Sequence, residues 1–158
     1  MKMPMSARRV LHGVILAASA LAAQSALAQF SMVPTPQCKT PAPSSLDAEK
    51  EFRIDAARHF YACFPMRVYR GKLPPLLYSA MMVETELDAA GNVVNINVID
   101  KPAADEVAPW VIAMIKRAAP FPAPAKMAGG KVTFTETYFI DKSGLFQLLS
   151  LTEGQRSQ

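Results

Sequence analysis

The sequence predicts an α+β fold: an antiparallel sheet of three to four strands in spatial order 2-1-3-4, with two helices packed on it. Three features carry this. Two alternating stretches flank the turn Asp88-Ala89-Ala90-Gly91-Asn92, a strongly amphipathic stretch starts at Val107, and a third alternating stretch runs from Lys131 to Ile140.

The first helix is expected after Ser45, read as its N-cap, with Asp47, Glu49 and Glu51 in the first turns, where negative charge suits the exposed amides. Phe52, Ala56, Phe60 and Cys63 recur at helical spacing and define its buried face, and Pro65 stops it. From Leu77 to Leu87 the period becomes two, with Met81, Val83, Thr85 and Leu87 on one side and Glu84 and Glu86 on the other. Gly91 supplies a positive φ to the turn. Val94, Ile96 and Val98 then alternate with Asn95, Asn97 and Ile99 in a returning strand.

Asp105 is expected to cap the second helix, where Pro109 is tolerated in the first turn. Val107, Trp110, Val111, Met114, Ile115 and Ala118 form one apolar stripe along it. The run Ala119-Pro120-Phe121-Pro122-Ala123-Pro124 ends the helix in extended backbone. Val132, Phe134, Tyr138 and Ile140 alternate with threonines in a third strand, and Asp141-Lys142-Ser143-Gly144 turns the chain into a short fourth strand, Leu145 to Leu149. Antiparallel pairing throughout requires the third strand to lie beside the first and the fourth on its outer side.

Ahead of this domain, Lys2, Arg8 and Arg9 precede an apolar run from Val10 to Ala23, and Ala26-Leu27-Ala28 follows as a small-x-small signal. This is the layout of a secretory leader, residues 1–28, cut between Ala28 and Gln29. A retained anchor would need about 20 continuous apolar residues. Export to the periplasm is expected, with no stable membrane insertion after cleavage. Residues 29–44 read as a Pro-rich linker, 45–151 as one domain, and 152–158 as a mobile polar tail.

The chain carries 17 Lys and Arg against 13 Asp and Glu, a formal +4, but Lys2, Arg8 and Arg9 belong to the leader. The remainder is nearly neutral, which argues against nucleic acid as a partner. The only cysteines, Cys38 and Cys63, both follow the leader, so a disulfide is expected. It would close a loop of roughly 25 residues and stabilise by about 3 kcal/mol on the chain-entropy account. A two-Cys metal or redox site would call for C-x-x-C spacing or nearby histidines, and His59 is the only histidine after the leader.

The order of elements resembles the C-terminal domain of TonB-type energy transducers, specifically small exported proteins built on that domain alone. The resemblance rests on the strand Met82-Val83-Glu84-Thr85-Glu86-Leu87, the turn at Asp88 to Asn92, the strand Val93 to Ile99, and the exit Ile115-Lys116-Arg117-Ala118-Ala119-Pro120-Phe121-Pro122. It spans residues 65–150. It implies an antiparallel sheet with helices on one face and a non-catalytic task, engagement of a peptide from an outer-membrane receptor by strand pairing; for this chain the expected partner is an envelope protein. Edges expected to be free for this are Val93 to Ile99, presenting Val94, Ile96 and Val98, and Leu145 to Leu149. A transducer also needs an anchor and a long Pro-rich rod, so a standalone interaction protein accessory to envelope transport fits the leader better. A second copy of the chain, as a homodimer, is the other protein partner considered.

A different reading comes from Met66 to Leu73, where Arg67, Arg70 and Lys72 make a basic loop that could hold peptidoglycan or another envelope glycan. No catalytic constellation, cofactor or metal is expected. No Gly-x-Ser-x-Gly elbow accompanies His59, which reads as a surface or helix-end residue. Glu84 and Glu86 fall on the wet face, whereas Glu136 shares the parity of Phe134 and Tyr138. The methionines left after the leader (Met32, Met66, Met81, Met82, Met114, Met127) lack a common face for a soft metal and read as core filling.

Overall fold

A computed structural model describes residues 29–156. The leader and the cut after Ala28 therefore lie outside the described residues, which begin at Gln29. Strands β1 (Ser79–Leu87), β2 (Val93–Asp100), β3 (Val132–Ile140) and β4 (Phe146–Leu148) form one antiparallel sheet in the order β2-β1-β3-β4, as the sequence predicts. Two helices, α1 (Glu49–Cys63) and α2 (Val107–Ala118), accompany it, making the domain α+β.

The alternation in sequence becomes alternation in burial. In β1, Met81, Val83, Thr85 and Leu87 are buried, and in β3 Val132, Phe134, Glu136, Tyr138 and Ile140 are buried, because side chains of one parity share a face. The predicted stripe of α2 is buried at every position from Val107 to Ala118. The first helix lies over β3 and β4: Phe52 meets Phe134 at 5.8 Å, and Phe60 meets Tyr138 at 5.5 Å and Phe146 at 5.2 Å between ring centroids. These edge and tilted contacts add to the area term that drives burial.

Both helix starts differ from expectation. The N-cap of α1 is Ala48, without a side-chain cap. Ser44 is the anchored serine nearby: its hydroxyl donates to Asp55 Oδ2 at 2.8 Å, and its amide donates to the Ala123 carbonyl at 2.9 Å. Glu106, not Asp105, is the N-cap of α2, and its carboxylate accepts from the Tyr78 hydroxyl instead of capping the helix. In both places the expected cap, Ser45 or Asp105, stands next to a residue, Ser44 or Glu106, whose side chain is engaged in a tertiary hydrogen bond.

Residues 29–44 pack onto the domain as a strap instead of leaving it as a linker. Phe30 is buried, stacked on Tyr78 at 5.5 Å and edge-on to Trp110 at 5.2 Å. Further along, Arg117 donates to the Val33 carbonyl, the Gln37 amide donates to the Cys63 carbonyl at 2.8 Å, and Cys38 is disulfide-bonded to Cys63. The far end of the chain is also held: the Leu73 amide donates to Gly154 O and the Arg156 amide to Leu73 O, so residues 152–156 run beside Leu73 where a mobile tail was expected.

Candidate functional site

The two edges of the sheet are not equivalent. The outer side of β4, expected to be free from Leu145 to Leu149, is covered by the segment after α1: Val68 bridges Phe146 in parallel, the Tyr69 amide donates to Phe146 O at 2.8 Å, and the buried Gln147 amide donates to Tyr69 O and Gly71 O. That edge was misassigned because residues 66–73 have no alternating pattern and read as a loop. Among the described residues, no backbone pairs with the outer side of β2.

Two irregularities bracket that open edge. Leu87 pairs with Val93 but Glu86 with Asn95, and Val83 pairs with Val98 but Met82 with Asp100. Val94 and Ile99 are thereby left without an opposite residue, and both stand exposed, at 58% and 51%. Ile96 and Val98 lie between them, half-buried against the core. The strict alternation of Val94 with Ile96 and Val98 is therefore broken: the extra residue turns Val94 outward, and Val93 takes the inward place.

Beside this edge lies an open groove of about 590 Å³ lined by β2 from Val93 to Ile96 and by Ile112, Lys116 and Ala119 of α2 and its exit. Ile112 sits off the buried stripe of its helix and is half-buried, with Lys116 one turn further on and exposed. The sequence reading missed both. A branched apolar residue on the flank of an otherwise complete stripe was the available signal.

The basic loop is partly consumed by structure. Arg67 is half-buried and its guanidinium lies toward Gly144 in the β3–β4 turn, whereas Arg70 and Lys72 are exposed. The Gly71 amide between them donates to Glu153 Oε1 at 3.2 Å, which brings an anionic group from the C-terminal segment against the same loop.

The carboxylates do not converge. Glu136 faces the core opposite Val83, on the other side of the sheet from Glu84 and Glu86. Its Oε1 accepts from the amides of Thr137 and Ser150, while Oε2 is buried without a partner among the described residues, as are Arg53 Nε and Ser150 Oγ. Burial pushes the Glu136 carboxyl above the usual carboxylate range, outweighing those hydrogen bonds and the neighbouring Arg53.

His59 is buried, a correction to its reading as a surface residue. Its Nε2 lies 2.8 Å from the Ala118 carbonyl and 3.4 Å from Cys63 Sγ. A carbonyl oxygen only accepts, so Nε2 carries the proton and the ring serves to close the last turn of α2. Burial lowers the His59 pKa, opposed by that hydrogen bond. The sequence predicts the pairing of Cys38 with Cys63, and the structure contains it. The helical i, i+4 spacing of His59 and Cys63 was the overlooked sign that a histidine stands beside it.

The fold and these sites define an α+β domain with one open strand edge and one disulfide. Compared with protein families, curated proteins and solved structures, the chain finds a match in none of the three.

Proposed function

We propose that the chain is a non-catalytic interaction module of the periplasm that takes up an extended peptide from an envelope protein along the outer edge of β2, in the manner of the TonB C-terminal domain it resembles. The observation that carries this reading is the unpaired outer side of β2 next to the groove at Ile112 and Lys116. An added strand would satisfy backbone donors and acceptors there, and side chains of one parity would reach the groove, where Ile96 and Ile112 favour an apolar residue and Lys116 an acidic one. The irregularities at Val94 and Ile99 limit pairing to a short register, which suits recognition and discourages open-ended strand addition.

Other features agree. Glu136 is separated by the sheet from Glu84 and Glu86, and His59 is committed to Ala118 and Cys63, so neither forms an acid-base pair with a second functional group. A disulfide suits an oxidising compartment. Accessory work in envelope transport is the task we assign.

The test is capture of envelope proteins from solubilised membranes by the processed chain. Ile112→Lys, which fills the groove without touching a sheet hydrogen bond, and Ile96→Pro, which interrupts β2, are both expected to abolish capture. Unchanged capture by a folded Ile112→Lys variant overturns strand-edge docking. Sedimentation with purified sacculi, lost when Arg70 and Lys72 are neutralised, would instead establish glycan binding.

A further inference from the structure

Cys38, His59 and Cys63 each offer one ligand atom, and the three atoms lie within 4.8 Å of one another. They come from two elements. Consecutive turns of α1 place His59 and Cys63 on the same face, and the strap delivers Cys38. We propose that, once the disulfide is opened, these three residues bind a single Cu⁺ ion, which makes the strap attachment a redox-gated metal site. This goes beyond the peptide-docking reading, and none of its three ligands lines the groove at Ile112 and Lys116.

Opening is an exchange reaction. A dithiol reductant attacks the half-exposed Cys38 Sγ as thiolate, and Cys63 departs as thiolate beside His59 Nε2–H. The second thiol of the reductant then displaces Cys38, so the reductant ends as a disulfide and the chain holds two reduced cysteines. The sulfurs stay close because the strap has other attachments: Phe30 against Tyr78 and Trp110, the Gln37 amide on Cys63 O, and Ser44 on Asp55 and Ala123.

The donor set selects the ion. Two thiolates and a neutral imidazole are soft to borderline ligands, which favour Cu⁺ and Zn²⁺ over Mg²⁺ or Ca²⁺. Three donors complete a trigonal site for Cu⁺, whereas Zn²⁺ almost always takes four. With Cu⁺ the site carries one net negative charge, and Lys39 and Arg117 line the same groove as Cys38 and His59. Binding releases both thiol protons. It also shifts the imidazole proton to Nδ1, so the bond from Nε2 to Ala118 O is given up.

The experiment uses the chain as the cell processes it, reduced with a phosphine under anaerobic conditions, desalted, and titrated against Cu⁺ held by the chromophoric chelator bicinchoninate. The reduced chain is expected to withdraw a single Cu⁺ and the oxidised chain none. His59→Gln should weaken binding by about tenfold or more, at least the loss seen when an outer-shell partner is removed. X-ray absorption of the copper should find two sulfur neighbours and one nitrogen. Equal uptake by the oxidised and reduced chains overturns the proposal, as does a copper site with sulfur neighbours only, or a reduced chain that takes Zn²⁺ and leaves Cu⁺. The oxidised-against-reduced comparison needs no variant, so it decides the matter even where a cysteine substitution prevents folding.

Discussion

Gly91 and Phe121 lock the β1–β2 turn to the exit of α2: the Phe121 amide donates to Gly91 O at 2.8 Å, and a Cβ on Gly91 would stand 2.0 Å from the Phe121 carbonyl oxygen. Gly91 also has φ +82°, which L side chains rarely adopt. Gly91→Ala combines this backbone strain with a clash against main chain. It should cost about 3 kcal/mol or more in denaturant melts. Gly129 has φ +74° with open space around its missing Cβ, so Gly129→Ala should cost only the strain, about 1 kcal/mol.

Replacing Cys38 and Cys63 together by serine should destabilise the domain by about 3 kcal/mol at most in chemical denaturation. The loss should be smaller to the extent that residual structure already restricts the reduced, unfolded chain. A larger loss would mean that Phe30 and Ser44 depend on the disulfide for their positions.

The pH dependence has two opposing parts. His59 is held neutral by burial, so below its ordinary pKa of 6.5 the unfolded chain binds a proton that the folded one refuses. Stability should fall as pH drops from about 6.5 toward the lowered folded value. Glu136 works in the reverse sense. The folded chain takes its proton above the ordinary 4.5, so stability is lost as pH rises from 4.5 through the raised folded value. Glu136→Gln keeps the Oε1 acceptor for Thr137 and Ser150 and removes the buried charge. It should raise the neutral-pH melting temperature, while His59→Gln should flatten the fall below 6.5. Identical pH profiles for the wild type and both variants would contradict this.

Val94→Lys and Ile99→Lys should each change stability by no more than about 0.5 kcal/mol, because both side chains are exposed and unopposed in the ladder. The same variants should reduce capture of an envelope partner, since charge at an open strand edge opposes further pairing. A large stability loss in melts would show that the irregular positions carry core packing.

Sequence reading reached the sheet order because each strand has a buried parity and every connection limits direction; Val83, Phe134 and Ile115 could hardly face elsewhere. It also reached the Cys38–Cys63 link, which the only two cysteines in the sequence make the simplest pairing. What it did not reach depends on contacts between distant segments. Gln147 covers the β4 edge by bonding Tyr69 and Gly71, Ser44 ties the strap to Asp55 and Ala123, and Phe30 enters the core from a stretch dominated by proline. None of these has a local period. Val94 failed for another reason: one unopposed residue reverses the parity of everything before it, and alternation alone cannot register that.

Trp110 is the only tryptophan in the sequence, and it meets the strap twice, edge-on to the Phe30 ring and through its Nε1–H to the Met32 carbonyl at 3.3 Å. Its emission colour and quenching therefore report whether residues 29–33 are seated, without any label. Detachment of the amino-terminal segment can be followed in real time by a fluorophore the protein already carries.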